Sequence, residues 1–180
     1  MERRGLCRII PAAGSGCLPF PERKLTRRRV VITGLGIISP VGNTVEQAWQ
    51  NIVAGRSGID RVTRFDASSF PVQIAGEVKN FNVADYLPLK DARRMDTFIH
   101  YGMAAGIQAI KDAGLEAHPA NAERIGVSIG SGIGGLPLIE TTRDEFVASG
   151  VRKISPFFVP GSIINMVSGN LSILYGYKGP

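Results

Sequence analysis

The segment between Ser162 and Tyr175 is apolar on almost every side if it is helical, and this property constrains the fold most strongly. The small residues Ser168 and Gly169 interrupt a series of large apolar side chains. A helix that is apolar all round has to be buried. In a chain of 180 residues, we expect a second subunit or a further part of the protein to cover it.

The positive charge of the chain lies at its N-terminus. Residues 1–29 contain eight basic and two acidic residues, which accounts for the whole net charge of +6 and leaves the remainder neutral. This distribution predicts no nucleic-acid interface. Residues 1–28 lack a clear amphipathic helix, so we predict a disordered or spurious extension, with a targeting segment as the alternative. No apolar run reaches the length of about 18 residues that a membrane span requires, which predicts no membrane contact.

Apolar runs alternate with helical patterns along the rest of the chain, and this order predicts an α/β layered fold. Runs of β-branched residues predict buried strands, and Asn43 with Glu46 predicts a capping box at the start of a helix. The predicted strands are 29–32, 73–78 and 125–129, the predicted helices are 43–54, 96–113, 138–149 and 162–175, and 56–72 is a predicted loop.

The longest predicted helix carries a surface of small residues. Because small side chains let a neighbouring backbone approach closely, this surface predicts tight packing against a sheet or another helix. Its members are Gly102, Ala104, Ala105, Gly106 and Ala109.

Two glycine loops follow predicted strands and suggest a competing function. Gly130, Gly132 and Gly135 satisfy the GxGxxG pattern, which between a strand and a helix is typical of dinucleotide binding. However, we predict that the next helix begins only after Pro137, and no strand ending in an acidic residue follows about twenty residues on. The first loop, 34–39, lacks the third glycine. A nucleotide-binding oxidoreductase is therefore the less favoured alternative.

Five segments in a fixed order resemble one enzyme family. They are RRVVITGLGIISPVGN (28–43), VAGRSGI (53–59), KDARRMDTFIHYG (90–102), RIGVSIGSGIGG (124–135) and RKISPFFVP with the helix after it (152–175). Together they resemble the N-terminal part of a β-ketoacyl-[acyl-carrier-protein] synthase, closest to the type II enzyme of bacterial fatty-acid synthesis. The resemblance implies a thiolase-like fold of α-β-α-β-α layers, of which residues 29–180 form roughly the first half.

The resemblance implies a cytoplasmic acyltransferase without a cofactor, which elongates acyl chains by decarboxylative Claisen condensation with malonyl carrier protein. Enzymes of this family use a nucleophilic cysteine and two histidines. The cysteine follows the segment that matches residues 177–180, so we expect no catalytic residue within this chain and no activity of the chain alone. The alternative is a non-catalytic ketosynthase-like partner of the chain-length-factor type.

None of the reactive residues present replaces the missing nucleophile. Cys7 and Cys17 lie in the N-terminal extension, so we predict neither a disulfide framework nor a metal site. His100 and His118 match no catalytic histidine of the family, and we interpret both as ordinary residues. Ser131 lacks the spacing of a nucleophile elbow.

The resemblance assigns four residues to the acyl tunnel. Gly132 and Ile133 would line it, with Ile133 limiting its depth. Phe158 and Val159 would cross the interface of a homodimer and form the far end of the partner's tunnel. From the residues alone, Ile133 is equally a core residue on a loop, and Phe158 and Val159 are buried hydrophobic residues.

Five basic residues form the last group. Lys90, Arg93 and Arg94 are spaced at i, i+3 and i+4 and share one face if their segment is helical, while Arg152 and Lys153 precede a proline-bracketed segment. The resemblance implies that all five dock the acidic acyl carrier protein. The alternative is an ordinary solvated surface.

Overall fold

The computed structural model describes residues 29–116 and 118–180, so the predicted extension over 1–28, with its two cysteines, lies outside the described residues. Short 3₁₀ turns at Val83–Asp85, Ala122–Arg124 and Val151–Lys153 connect the regular elements. These elements are α1 (Val45–Val53), β1 (Asp60–Arg61), β2 (Ile74–Ala75), α2 (Leu89–Ala92), α3 (Thr97–Asp112), α4 (Leu136–Ser149), α5 (Phe158–Ser162) and α6 (Met166–Tyr175).

Helix α3 forms the centre of the core, and its prediction from the sequence is confirmed. Asp96 is its N-cap, and Gly114 follows its last turn with φ +60°. Its apolar face packs on α6 and on the segment before α2. The buried cluster consists of Leu87, Ile99, Met103, Ile107, Val167 and Leu171.

The small-residue surface of α3 packs tightly against α6, as predicted. A Cβ atom on Gly102 would lie 2.6 Å from Cγ1 of Val167. A Cβ atom on Gly106 would lie 2.5 Å from Cδ1 of Leu171. Since real Cβ contacts are longer than these, a larger residue at either position would force the facing side chain or α6 to shift.

The first glycine loop packs on the backbone of the same helix. A Cβ atom on Gly36 would overlap the carbonyl oxygen of Ala105. The neighbouring amides are bound by side chains of α3: Leu35 N donates to Asp112 Oδ2 at 2.8 Å, and Ile37 N donates to Gln108 Oε1 at 3.2 Å. This loop therefore serves close packing, and the amides of Leu35 and Ile37 are already bound.

The predicted strands at 29–32 and 125–129 are wrong, because neither segment forms a strand. Val30 and Ile32 are 94% and 83% exposed instead of buried. A strand needs hydrogen-bonded neighbours along its length. Residues 125–129 make only isolated bonds, such as Gly179 N to Ile125 O at 2.9 Å.

The strands that the structure does show are short. β1 pairs with β2 in an antiparallel ladder, with Asp60 opposite Ala75 and Arg61 opposite Ile74. The predicted strand 73–78 is thus reduced to two residues. The predicted loop 56–72 contains β1, because a two-residue strand leaves no periodic pattern in the sequence.

The N-cap of α1 lies one residue later than predicted. Its N-cap is Thr44, whose Oγ1 accepts a hydrogen bond from Gln47 N at 3.2 Å. Gln47 Oε1 reaches back to Asn43 N at 2.9 Å. The capping pair is therefore Thr44 with Gln47, a variant of the predicted capping box.

The predicted helix 162–175 begins only at Met166, as α6, because Ser162 ends α5 and Ile163 is extended at φ −77° and ψ 142°. Val167 and Leu171 bury one face of α6 against α3, whereas Ile173 remains 77% exposed on another. The expectation that a further partner covers this face stays a prediction. In the part of the chain that the structure describes, no helix has the length and apolarity to cross a membrane.

Candidate functional site

Three segments of the chain meet at Asp96, and we call this meeting point the junction. It comprises residues 94–96 ahead of α3, residues 134–138 at the start of α4, and residues 161–162 at the end of α5. Asp96 N donates to the carbonyl oxygen of Gly161 at 3.1 Å. Asp96 Oδ2 accepts a hydrogen bond from Leu138 N at 2.8 Å. The junction therefore connects segments that lie far apart in the sequence.

The second glycine loop is held against α5 by its backbone. Gly135 N donates to Ser162 O at 2.9 Å, and a Cβ atom on Gly135 would lie 2.8 Å from Cα of Ser162. Gly134 has φ +85°, which favours glycine. Ser131 Oγ accepts from Gly134 N at 3.1 Å, so this hydroxyl stabilises the loop.

Helix α4 begins directly after the glycine loop, and the predicted start after Pro137 is wrong. Gly135 is the N-cap, and Pro137 lies in the first turn, where its missing N–H costs nothing. Because α4 is not displaced from the glycines, its position gives no argument against nucleotide binding. However, the carboxylate of Asp96 already binds this N-terminus, and it would repel the phosphate that such a site must hold.

The tunnel residues proposed from the sequence lie on two neighbouring segments. Gly132 and Ile133 are exposed on the glycine loop, with Ile133 69% exposed. Within the described part of the chain, Ile133 therefore does not belong to the core, and both interpretations of this residue stay predictions. Phe158 is half-buried and Val159 is 56% exposed at the start of α5. The hydrogen bond from the glycine loop to α5 holds the two segments together.

The basic residues before α3 adjoin the proline-bracketed segment. Lys90 lies in α2, Arg93 caps the C-terminus of α2, and Arg94 follows in a turn. The guanidinium carbon of Arg94 lies 4.3 Å from the centroid of the Phe157 ring, which is cation–π geometry. This contact joins residues distant in sequence, so no spacing pattern could reveal it.

The other basic pair lies in the 3₁₀ turn that follows α4. Both Arg152 and Lys153 are exposed. Among the described residues, the ion pairs are Lys79 with Asp60 at 2.8 Å and Arg143 with Asp144 at 2.7 Å. The five proposed docking cations have no carboxylate partner within that part of the chain, so their charge is available to a partner.

A largely apolar cavity of about 380 Å³ lies between α2, α5 and α6, and it was not predicted from the sequence. The residues that line it include Met95, Met166 and Leu174, together with Arg94 and Phe157. Methionine fills irregular spaces without leaving a periodic signal, which explains why the pattern of the sequence did not indicate it.

The segment that precedes the family's cysteine is firmly held. Tyr177 stacks on Tyr175 with ring centroids 5.6 Å apart, and its hydroxyl donates to Leu115 O at 3.2 Å. Burial raises the pKa of both tyrosines above its ordinary value. Lys178 N donates to Ala122 O at 2.9 Å, so the chain is fixed up to this point.

Both histidines bind the backbone. His100 Nε2 donates to Ala92 O at 2.8 Å, and His118 Nδ1 accepts from Ala120 N at 3.2 Å. These contacts support the interpretation of both as structural residues. Within residues 29–116 and 118–180, no three His, Cys, Asp or Glu side chains lie close enough to hold a metal ion.

Comparison with known proteins gives consistent results. The family model described as Beta-ketoacyl synthase, N-terminal domain, matches residues 27–180. The 3-oxoacyl-[acyl-carrier-protein] synthase 2 of Vibrio cholerae is 56% identical over 156 residues, which cover 87% of this chain and 38% of that protein. The chain thus spans about two fifths of the length of the curated relatives it matches.

Two solved structures share the fold. One is a type II polyketide ketosynthase in complex with its acyl-carrier protein, with 26% identity, a TM-score of 0.70, and coverage of 86% of this chain and 41% of that one. The other is the ishigamide ketosynthase/chain length factor, with 29% identity, a TM-score of 0.67, and coverage of 86% and 38%. The predicted thiolase-like α/β fold is confirmed by this likeness.

Proposed function

The chain belongs to the β-ketoacyl synthase family, and on this basis we propose that it supplies the acyl-binding N-terminal part of a 3-oxoacyl-[acyl-carrier-protein] synthase 2. Such an enzyme elongates an acyl chain by decarboxylative condensation with malonyl carrier protein. The observation that carries the proposal is the second glycine loop, which exposes Ile133 and is held on α5 by the hydrogen bond from Gly135 N to Ser162 O.

The four tunnel residues would select the length of the acyl chain. Burial of one methylene group contributes about 0.8 kcal/mol, so a branched side chain across a tunnel changes affinity strongly with each added carbon. Ile133 suits this role because its side chain is exposed at the surface of the loop. Gly132 beside it leaves open space, since a Cβ atom there would meet nothing within 4 Å.

The five basic residues would dock the carrier protein. One structural neighbour is a ketosynthase in complex with its own acyl-carrier protein. Complementary charge speeds the encounter of two proteins and loses strength as salt rises. Lys90, Arg93, Arg152 and Lys153 are exposed, and Arg94 is held beside the proline-bracketed segment by Phe157.

We further propose a cytoplasmic homodimer. The exposed apolar face of α6, with Ile173 and Leu174, supports this proposal, because large exposed apolar patches mark sites of protein–protein contact. A two-fold interface would place Phe158 and Val159 of each subunit at the tunnel of the other.

A non-catalytic partner of the chain-length-factor type is the second candidate. The likeness to the ishigamide ketosynthase/chain length factor favours it. The residue at the position of the family's nucleophile would decide between the two candidates.

The test is a chimera in which the whole chain is joined at Pro180 to the part of the Vibrio cholerae synthase that follows the matched region. This chimera supplies the cysteine and histidines of the relative. We expect malonyl-dependent elongation of an acyl carrier protein substrate. An inactive chimera that is folded would contradict the proposal.

Substituting Ile133→Phe in this chimera should shorten the longest acyl chain that is accepted. If the larger ring prevents burial of two methylene groups, kcat/KM for the longest substrate falls about tenfold, while that for short chains is unchanged. The measurement is a chain-length profile with acyl carrier protein substrates. Ile52→Phe, at an exposed position of α1, is the matched control, and equal profiles for both variants would exclude Ile133 as the gate.

A further inference from the structure

Asp96 binds the N-termini of two helices at once. Its side chain is buried, with 7% of the residue exposed. Oδ1 accepts a hydrogen bond from Phe98 N in α3 at 3.4 Å, and Oδ2 accepts from Leu138 N in α4 at 2.8 Å. A carboxylate is favoured at a helix N-terminus because the unpaired N–H groups there carry partial positive charge. The sequence predicted only that a helix begins at Asp96.

Helix α4 depends on this remote cap because its own N-cap residue has no side chain. Gly135 occupies that position. A Cβ atom on Gly135 would lie 2.8 Å from Cα of Ser162 and 3.1 Å from Cβ of Asp96, so a serine or aspartate does not fit there. The cap is therefore supplied from outside the helix, by a residue 42 positions earlier in the chain.

The backbone of Asp96 extends the same connection to α5. Asp96 N donates to Gly161 O at 3.1 Å. A Cβ atom on Gly161 would lie 2.6 Å from the carbonyl oxygen of Arg94, so α5 approaches this segment closely. One residue thus contacts the segment of the docking arginines, the helix after the Ile133 loop, and the helix of Phe158.

Among the described residues, no lysine or arginine pairs with Asp96. Its carboxylate is satisfied by backbone N–H groups alone, so its position is determined by the two helices that it connects. A side chain in this arrangement fixes the orientation of α3 and α4 relative to each other.

We propose that Asp96 is a positioning residue that fixes the Ile133 loop against α5, and thereby sets the acyl chain-length selection of the synthase. This inference rests on the proposed function. It assigns a role in specificity to a residue that itself lies beneath the loop and has no contact with the acyl chain.

The test is Asp96→Ser in the chimera. Serine is a good N-cap, so the start of α3 is preserved, but its single hydroxyl cannot also bind Leu138 N. We expect the ratio of kcat/KM for the longest and a medium-length acyl chain to change about tenfold, because small displacements of positioning elements have effects of this size or larger. The KM for the carrier protein should change less than about twofold by comparison.

Thr44→Ala is the matched control. It removes the hydroxyl of Thr44, which caps α1 by accepting a hydrogen bond from Gln47 N. The substitution lowers stability without altering the junction. The chain-length ratio should stay at the unsubstituted value. If Asp96→Ser and Thr44→Ala change this ratio equally, Asp96 has only a structural role and the inference is wrong.

Two further measurements keep the inference testable. Asp96→Asn preserves the size of the side chain and replaces Asp96→Ser if that variant does not fold. It should change the chain-length ratio in the same direction.

Amide hydrogen exchange in the glycine loop and at Leu138 should accelerate in the Asp96 variant and not in Thr44→Ala. Unchanged exchange would contradict the positioning role, whereas an inactive unsubstituted chimera would contradict only the proposed function.

Discussion

Replacing both Arg152 and Lys153 by glutamate in the chimera is expected to raise the KM for acyl carrier protein substrates about a hundredfold. Each reversal turns attraction toward an acidic partner into repulsion, and a cost of about 1.4 kcal/mol per residue is a tenfold loss of affinity. Both side chains are exposed in the 3₁₀ turn after α4, so neither substitution disturbs a described contact. Steady-state kinetics at low salt measures the effect.

A small thioester substrate that lacks the carrier protein distinguishes a loss of carrier docking from general damage to the enzyme. Its KM should be unchanged in the double variant. Lys111→Glu combined with Arg124→Glu makes the same change in net charge at exposed positions outside the proposed docking residues, and should leave carrier binding near its original strength. Equal losses with the carrier-bound and the small substrate would contradict a docking role.

Replacing Gly36 by alanine should lower the free energy of unfolding by about 3 kcal/mol, at the upper end of typical overpacking costs. The added Cβ would overlap the Ala105 carbonyl oxygen and lie 2.8 Å from Ala109 N. Both atoms belong to the backbone of α3, so the loop has to leave the helix. For a chain of this size, the melting temperature should fall by about 6–12 °C.

Gly130→Ala is the control for this effect, since a Cβ atom at Gly130 meets nothing within 4 Å. Its melting temperature should stay within about 2 °C of the unsubstituted protein, as for ordinary surface substitutions. Similar melting temperatures for the two alanine variants would show that the first glycine loop does not pack on α3.

Local signals predicted the longest helix well. The run from Thr97 to Asp112 follows an aspartate cap, has an apolar face and is followed by a glycine, and the structure forms one helix over this run. The small residues Gly102 and Gly106 also predicted close packing, because the spacing of their surface is a local property. What such signals could not provide was the identity of the packing partner, α6.

Features that depend on distant residues were predicted poorly. The runs 29–32 and 125–129 have the composition of strands, but a strand forms only beside a hydrogen-bonded neighbour. The start of α4 was misplaced because its cap comes from Asp96, on another element. The contact of Arg94 with Phe157 was missed for the same reason, because its two residues lie far apart in the sequence.

The candidate site was likewise predictable only in its local features. Its residues were assigned from the resemblance to the family, whereas their arrangement became apparent only from the structure. Ile133 was as consistent with a core position as with a gate, and the structure adds that its side chain is 69% exposed within the described residues. The junction that joins its loop to α5 has no signature in the sequence, because it is formed by backbone groups and one aspartate.

The most direct test of the account is product analysis with the chimera of this chain and the Vibrio cholerae synthase. The unsubstituted Vibrio cholerae enzyme is the positive control, and the added Vibrio cholerae part alone is the negative control. We predict malonyl-dependent formation of a 3-oxoacyl thioester two carbons longer than the substrate, detected by mass spectrometry. A chimera that is folded and dimeric but forms no such product, while the positive control is active, would contradict the claim that this chain forms the acyl-binding part of a condensing enzyme.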